Sequence, residues 1–366
     1  MPLDDLYTPL PLSRGAPMRN RFALAALTNL QSHDDGTLSD DEYRWLTLRA
    51  KGGYGLVLTC ASHVQRSGQA YNGQLGVFAD QHIEGLTRLA AGLRAGGSLS
   101  AVQLYHAGRR ARTELTGDPT VTASDDPETG ARGLTIAEVE SLIESFVEAA
   151  VRADRAGFDG VEVHGAHGFI LAQFLDPATN RRDDRYGGTL ENRARVTFEV
   201  LQGIRRRCRP DFQLGLRLSP DRFGLGIAEA RDLAAQLMSD GDIDYLDLSL
   251  WDVRKAPDDP AFKDRTMMDC FLDLPRGGVR VGLAGMIRTV ADALLVRESG
   301  ADFVLLGRAG ILHHDLPRRL RAEPGFDVAA LPVSEEHLRA EGLGERFVDY
   351  MRTWPGFVAE KTPQTA

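Results

Sequence analysis

Cysteine is scarce in this chain: Cys60, Cys208 and Cys270 are the only three in 366 residues. Three thiols this far apart are too few for a closed metal site or an iron–sulfur set. They give no disulfide framework either, which makes a reducing cytoplasm the simplest compartment. Long apolar runs are missing, and nothing approaches the roughly 18 to 20 residues of a membrane span. The opening Met1-Pro-Leu-Asp-Asp-Leu-Tyr-Thr8 has no basic region followed by an apolar one, so no signal peptide is expected. Positive charge is in deficit, with a formal net charge of -9, which argues against a nucleic-acid partner. There is no internal repeat, no low-complexity linker and no dinucleotide-binding fingerprint. What the chain does have is apolar content of 43%, enough for a large core and too much for disorder.

That apolar content is distributed as eight strand–helix alternations. Strands are predicted at Asn20–Leu27, Leu56–Thr59, Leu99–Leu104, Val161–His164, Gln213–Leu218, Tyr245–Leu250, Val279–Leu283 and Phe303–Leu306. Helices are predicted between them: from Ser39 to the Gly52-Gly53 stop, at Ile83–Ala90, Thr135–Ala156, Leu190–Arg207 and Glu229–Met238, a short one with a loop within Trp251–Gly278, then Thr289–Glu298, and finally Leu316–Ala322. The pattern predicts a single (β/α)8 TIM barrel over residues 1–322. Residues 323–366 belong to no barrel unit and read as a C-terminal extension, a candidate subunit contact.

The chemistry concentrates in Asp159-Gly-Val-Glu-Val-His-Gly-Ala-His-Gly-Phe169, a strand that ends in His164 and His167. A glycine follows each histidine, so the backbone can turn and aim both rings at one point. Strand alternation separates apolar from polar faces. It puts Gln103, Glu162 with His164, Arg217 with Ser219, and Asp247 with Ser249 on the inward faces of the third to sixth strands. Buried polar groups need partners, and a bound ligand is one such partner. The seventh strand ends Ala284-Gly285-Met286 and the eighth Leu306-Gly307-Arg308, where such barrels often bind phosphate. A phosphate there and a polar ring over the third and fifth strands point to flavin mononucleotide (FMN). Taken alone, the His-x-x-His pair also fits a metal site, and Arg217 also fits an ion pair with Glu162 or Asp247.

Five motifs together carry a family resemblance. They are Asn20-Arg21, Gln103-Leu-Tyr-His-Ala-Gly-Arg109, Asp159 to Gly168, Asn180-Arg-Arg-Asp-Asp-Arg-Tyr-Gly-Gly188 with Glu191-Asn-Arg193, and Leu306-Gly-Arg308. From about Leu6 to Leu320 the chain resembles the old yellow enzyme family of NADH:flavin oxidoreductases. The resemblance implies non-covalent FMN, NAD(P)H as reductant, and reduction of α,β-unsaturated carbonyl compounds by ping-pong hydride transfer. It implies that Ala25, Ala26, Leu27, Thr28 and Ala61 line the flavin. Gln103 and Arg217 would meet its polar edge, and Gly285, Gly307 and Arg308 its phosphate. His164 and His167 would bind the substrate oxygen, with Leu30, Tyr105 and Phe169 beside the substrate. The Tyr350-Met-Arg-Thr-Trp354 tail resembles one in which the arginine enters a neighbouring subunit's site, which implies a homodimer or larger and a substrate contact for Arg352.

One departure matters for mechanism. Many relatives carry at position 169 a tyrosine that protonates the substrate α-carbon; here it is Phe169, which has no proton to give. Water or another hydroxyl would then supply the proton, with Tyr105 a candidate. The same departure motivates a flavin-dependent dehydrogenase or isomerase as an alternative, and a metal-dependent barrel hydrolase using His164 and His167 is the alternative from another class.

Overall fold

The structure, a computed structural model, describes residues 3–360. Eight parallel strands close into a barrel: β1 (Phe22–Leu24), β2 (Leu56–His63), β3 (Leu99–Tyr105), β4 (Gly160–Gly165), β5 (Gln213–Leu218), β6 (Tyr245–Ser249), β7 (Arg280–Ala284) and β8 (Phe303–Leu306), with β8 pairing back onto β1. Helices α1 (Asp40–Gly52), α2 (Ile83–Ala95), α3 (Ile136–Arg155), α4 (Leu190–Arg207), α5 (Ile227–Asp240), α6 (Val290–Glu298) and α7 (Leu316–Ala322) follow the strands. The expected barrel is therefore observed, strand for strand.

Local chemistry fixes the helix ends. Ser39 caps α1 by accepting from the Glu42 N–H, and Gly53 closes it in the left-handed conformation. Thr135 with Glu138, and Thr289 with Asp292, form reciprocal capping boxes on α3 and α6. Two strand boundaries differ from expectation. β1 is only Phe22–Leu24, and Ala25 to Thr28 lie beyond it in irregular backbone, with the Ala25 N–H still donating to the Leu306 carbonyl. β2 runs on to His63 through a register shift between Leu58 and Ala61. There the Thr59 hydroxyl accepts from the Gln103 N–H, supporting polar positions that mask the strand in the sequence.

Aromatic rings fill the lower barrel. Tyr245 and Phe303 meet edge to face with centroids 5.9 Å apart. Each lies across the sheet from a glycine, Tyr245 from Gly215 and Phe303 from Gly282. A Cβ at Gly215 would sit 2.1 Å from the Tyr245 ring, and one at Gly282 would sit 2.3 Å from that of Phe303. From below, the N-terminal segment closes the barrel: Leu10 bridges Met18, and both join the interior cluster with Leu56 and Leu99.

Beyond β8 lie a short helix at Arg308–Leu312, which sequence periodicity did not reveal, and then α7, α8 (Glu335–Ala340) and α9 (Glu345–Arg352). Phe347 of α9 packs on Trp45 of α1 with ring centroids 5.5 Å apart. The extension is thereby anchored on the barrel, and Tyr350 and Trp354 reach its mouth.

Overpacking a filled core costs about 1–3 kcal/mol, occasionally more. Gly215→Ala should therefore lose about 3 kcal/mol of stability in urea unfolding, because the Tyr245 ring has nowhere to go. An unchanged midpoint would show that the ring moves freely.

Candidate active site

Strand β4 delivers His164 at its C-terminal end, and the chain then turns through Ala166-His167-Gly168. His167 (φ 59°) and Gly168 (φ 72°) both adopt the left-handed conformation, which folds the second ring back onto the first. His164 Nε2 and His167 Nδ1 lie 3.2 Å apart. The Ala166 N–H donates to His164 Nδ1 at 3.2 Å, and His167 Nε2 is 2.9 Å from Ser249 Oγ at the end of β6. Burial, and after it the positive charge of Arg217, hold both histidines well below the usual imidazole range. Both rings are neutral at pH 7, each with one N–H and one lone pair.

Arg217 stands on β5 beside His164 on β4 and Asp247 on β6. Its Nε is 2.9 Å from Asp247 Oδ2, an ion pair by distance although the two are not aligned as a hydrogen bond. The remaining guanidinium nitrogens make only long contacts, 3.4 Å to the Ala26 carbonyl and 3.5 Å to Ser249 Oγ. One strand over, Gln103 donates to Glu162 Oε1 at 2.7 Å. The inward polar groups thus pair partly with one another, and Arg217 is both an ion-pair partner of Asp247 and a cavity residue. Burial pushes the Glu162 and Asp247 carboxyls up, with Arg217 opposing.

Above these groups opens a cavity of about 330 Å³ at the C-terminal end of the barrel. The structure brings most of the expected residues to it: Ala25 to Thr28, Ala61, Gln103, Tyr105, His164, His167, Phe169, Arg217, Gly285, Gly307 and Arg308 all line its wall. Two do not. Leu30 lies outside it in a left-handed turn (φ 57°), and Arg352 turns to Glu335, 2.6 Å away. The asparagine–arginine loop before α4 is pinned at a distance from the cavity: Asn180 donates to the Phe174 and Tyr186 carbonyls, and Arg182 pairs with Asp184.

Several cavity residues escaped sequence reasoning. Arg288 is the most consequential. It lies near Arg308, whose pKa its charge lowers after burial, and both guanidiniums approach the Met286 sulfur at 3.5 Å. Among the described residues neither pairs with a carboxylate. The phosphate argument already pointed at the loop after β7, and reading two residues further would have found Arg288. Tyr71 gave no comparable signal, and Trp354 stood out only as part of the Tyr350–Trp354 tail. Strain also marks the site. Among the described residues, the six non-glycine residues with positive φ (Leu30, His167, Asp221, Phe223, Trp251 and Met286) belong to loops that follow barrel strands.

Residues 5–324 match the NADH:flavin oxidoreductase / NADH oxidase family. The chain belongs to that family. It is 36% identical over 314 residues to the "Probable NADH-dependent flavin oxidoreductase YqiG" of Bacillus subtilis (strain 168), covering 83% of this chain and 84% of that protein. It is 33% identical over 311 residues to the NADPH dehydrogenase of Bacillus pumilus (strain SAFR-032), covering 83% and 90%. Among solved structures, morphinone reductase superposes with a TM-score of 0.77 at 27% identity, over 94% of this chain and 95% of that one. The motif resemblance is therefore upheld along the whole barrel, and the chain is an oxidoreductase of this flavin-dependent family.

An unfolded histidine titrates near pH 6.5. With both rings held neutral in the fold, the unfolded state binds more protons below that pH, so their contribution to stability is lost as pH falls. Nitrogen-15 NMR of labelled histidine should show His164 and His167 neutral from pH 8 down to 5.5. A midpoint near 6.5 for either would contradict the burial argument.

Proposed function

We propose that the chain holds FMN non-covalently in this cavity and reduces the activated C=C bond of α,β-unsaturated carbonyl compounds with NAD(P)H. The observation that carries the reading is the convergence of two neutral imidazoles on one point of a cavity with a polar floor and a cationic rim. The donor set fits FMN. Gln103 and Arg217 offer an amide and a guanidinium to the polar edge of its ring, and the apolar segment Ala25–Leu27 offers a surface for the ring face. Arg288 and Arg308, neither paired with a carboxylate among the described residues, offer two guanidiniums to a phosphate dianion. Bound there, FMN supplies the acceptor for hydride from NAD(P)H and the donor of hydride to the alkene.

The chain's own residues do the rest. His164 and His167 donate N–H bonds to the substrate carbonyl oxygen and stabilise the negative charge that grows there as the β-carbon takes up hydride. Arg217 keeps a buried positive charge at the floor, which favours ligands that become more negative on reduction. One cavity serves both the nicotinamide and the enone, so they occupy it in turn, as ping-pong kinetics require.

Reduction of the alkene also consumes a proton at the α-carbon. Phe169 faces the cavity and has none. Tyr105 packs edge-on against it with centroids 4.5 Å apart, and its buried hydroxyl has no partner among the described residues. Burial raises its pKa, so it stays protonated. Tyr105 is accordingly the candidate acid. The missing acid at Phe169 also favours a second reading, a flavin-dependent dehydrogenase or isomerase on the same scaffold. A metal-dependent hydrolase has less support, since among the described residues His164 and His167 gather no third ligating side chain. We further read the half-exposed Arg352 as a contact to a neighbouring copy, in a homodimer or larger, and place the protein in the cytoplasm. Among the described residues no helix is long and apolar enough to cross a membrane.

Purified protein should be yellow; under anaerobic conditions NADH or NADPH should bleach it, and cyclohexenone should restore the colour. Bleaching without recovery would favour the second reading. His164→Ala should weaken phenol binding about tenfold or more, the loss of a hydrogen bond to a charged acceptor, while FMN stays bound; an unchanged phenol charge-transfer band would remove His164 from the clamp. Phe169→Tyr should speed alkene reduction if protonation limits it. An unchanged rate would show that another group, such as Tyr105, already supplies the proton.

A further inference from the structure

Ser249 emerges from the hydrogen-bond polarity of the histidine pair, and the inference rests on the oxygen-clamp reading above. The Ala166 N–H donates to His164 Nδ1 at 3.2 Å, so Nδ1 must present its lone pair and the neutral ring carries its proton on Nε2. That Nε2–H points at His167 Nδ1, 3.2 Å away, which must then accept. His167 is left with its proton on Nε2, donated to Ser249 Oγ at 2.9 Å. Every ring nitrogen is satisfied, and the protons run one way, from His164 through His167 to Ser249.

This arrangement cannot grip a substrate oxygen with both rings. A carbonyl or phenolate oxygen has only lone pairs to offer. To receive bonds from both facing nitrogens it needs a proton on His167 Nδ1 as well as on His164 Nε2. A neutral His167 with its proton on Nδ1 has a bare Nε2, and the side-chain group in place to donate to it is the Ser249 hydroxyl. We propose that Ser249 is a positioning residue that sets the tautomer of His167, accepting from Nε2 when the clamp is empty and donating to Nε2 when an oxygen ligand is held. A hydroxyl suits this place because it can play either part, whereas a carboxylate would only accept and an ammonium would only donate. In the exchange the ring releases one proton from Nε2 and takes one at Nδ1 from water in the open cavity, so its charge is unchanged.

Arg217 biases the switch. Its Nη2 lies 3.5 Å from Ser249 Oγ. Drawn against that oxygen's lone pair, it leaves the hydroxyl proton to turn towards His167. Ser249 shares the inward face of β6 with Asp247, whose carboxylate is the ion-pair partner of Arg217. The ligand oxygen is thus linked to the buried charge through His167 and Ser249, and negative charge growing on the oxygen strengthens each bond along the line.

The test uses FMN-loaded protein with nitrogen-15 histidine and 4-chlorophenol as the oxygen ligand, the His167 signals being assigned by their loss in His167→Gln. In the native protein, saturating phenol should move the His167 proton from Nε2 to Nδ1, and Ser249→Thr, which keeps the hydroxyl, should preserve that change. Ser249→Ala should show no such change and bind the phenol roughly tenfold more weakly, with its FMN content unaltered. An identical His167 tautomer in free and phenol-bound native protein would overturn the proposal, as would an alanine variant that binds within twofold of the native protein. If the native protein binds no phenol at all, the oxygen-clamp reading fails and the role of Ser249 falls with it.

Discussion

The buried positive charge of Arg217 organises the polar layer inside the barrel. Arg217 sits inside the barrel beside His164, against Asp247, and within reach of the Ala26 carbonyl and Ser249. Its presence makes a buried Asp247 tolerable, since removing one partner of such a pair costs on the order of 3–5 kcal/mol. It also helps hold His164 and His167 neutral, and neutral imidazoles can both donate and accept. Glu162 and Gln103 answer each other one strand away, so the polar layer is partly paired within itself. Gln103, Arg217 and both histidines of that layer also line the cavity.

The barrel around that charge is solid below and adaptable above. Tyr245 and Phe303 fill the lower half because Gly215 and Gly282 leave room for them, and the N-terminal Leu10–Met18 bridge closes the end. The C-terminal mouth is built instead from loops that hold residues such as His167, Trp251 and Met286 in left-handed backbone. Side chains in that conformation are costly and concentrate where function over-determines them. Here the loops place two imidazoles in contact and leave two guanidiniums without a carboxylate among the described residues.

Much of this was legible in the sequence. Period-two alternation in the third to sixth strands put Gln103, Glu162, Arg217 and Asp247 on one face, and the register of β3 to β6 bears that out. The helix starts at Ser39, Thr135 and Thr289 were legible to within a residue because helix-start signals are local. Contacts between distant segments were not. Nothing local to Leu10 or Met18 says that they enter the barrel, and nothing in Tyr350 or Trp354 says that a C-terminal helix reaches the mouth. Alternation placed Ser249 inward beside Asp247, but only the distance to His167 gives it a chemical part. The motif resemblance supplied the flavin and substrate classes, which no periodicity could. It also exposed Phe169 as the departure from its relatives that matters most for mechanism.

The account stands on where a substrate oxygen goes. A crystal structure of the FMN-loaded protein with a bound phenol locates that oxygen directly. The account predicts it within hydrogen-bonding reach, about 2.6–3.2 Å, of both His164 Nε2 and His167 Nδ1, with FMN between the Gln103–Arg217 floor and the Arg288–Arg308 rim. A phenol oxygen held by other groups, or histidines turned away from it towards a metal ion, would contradict it.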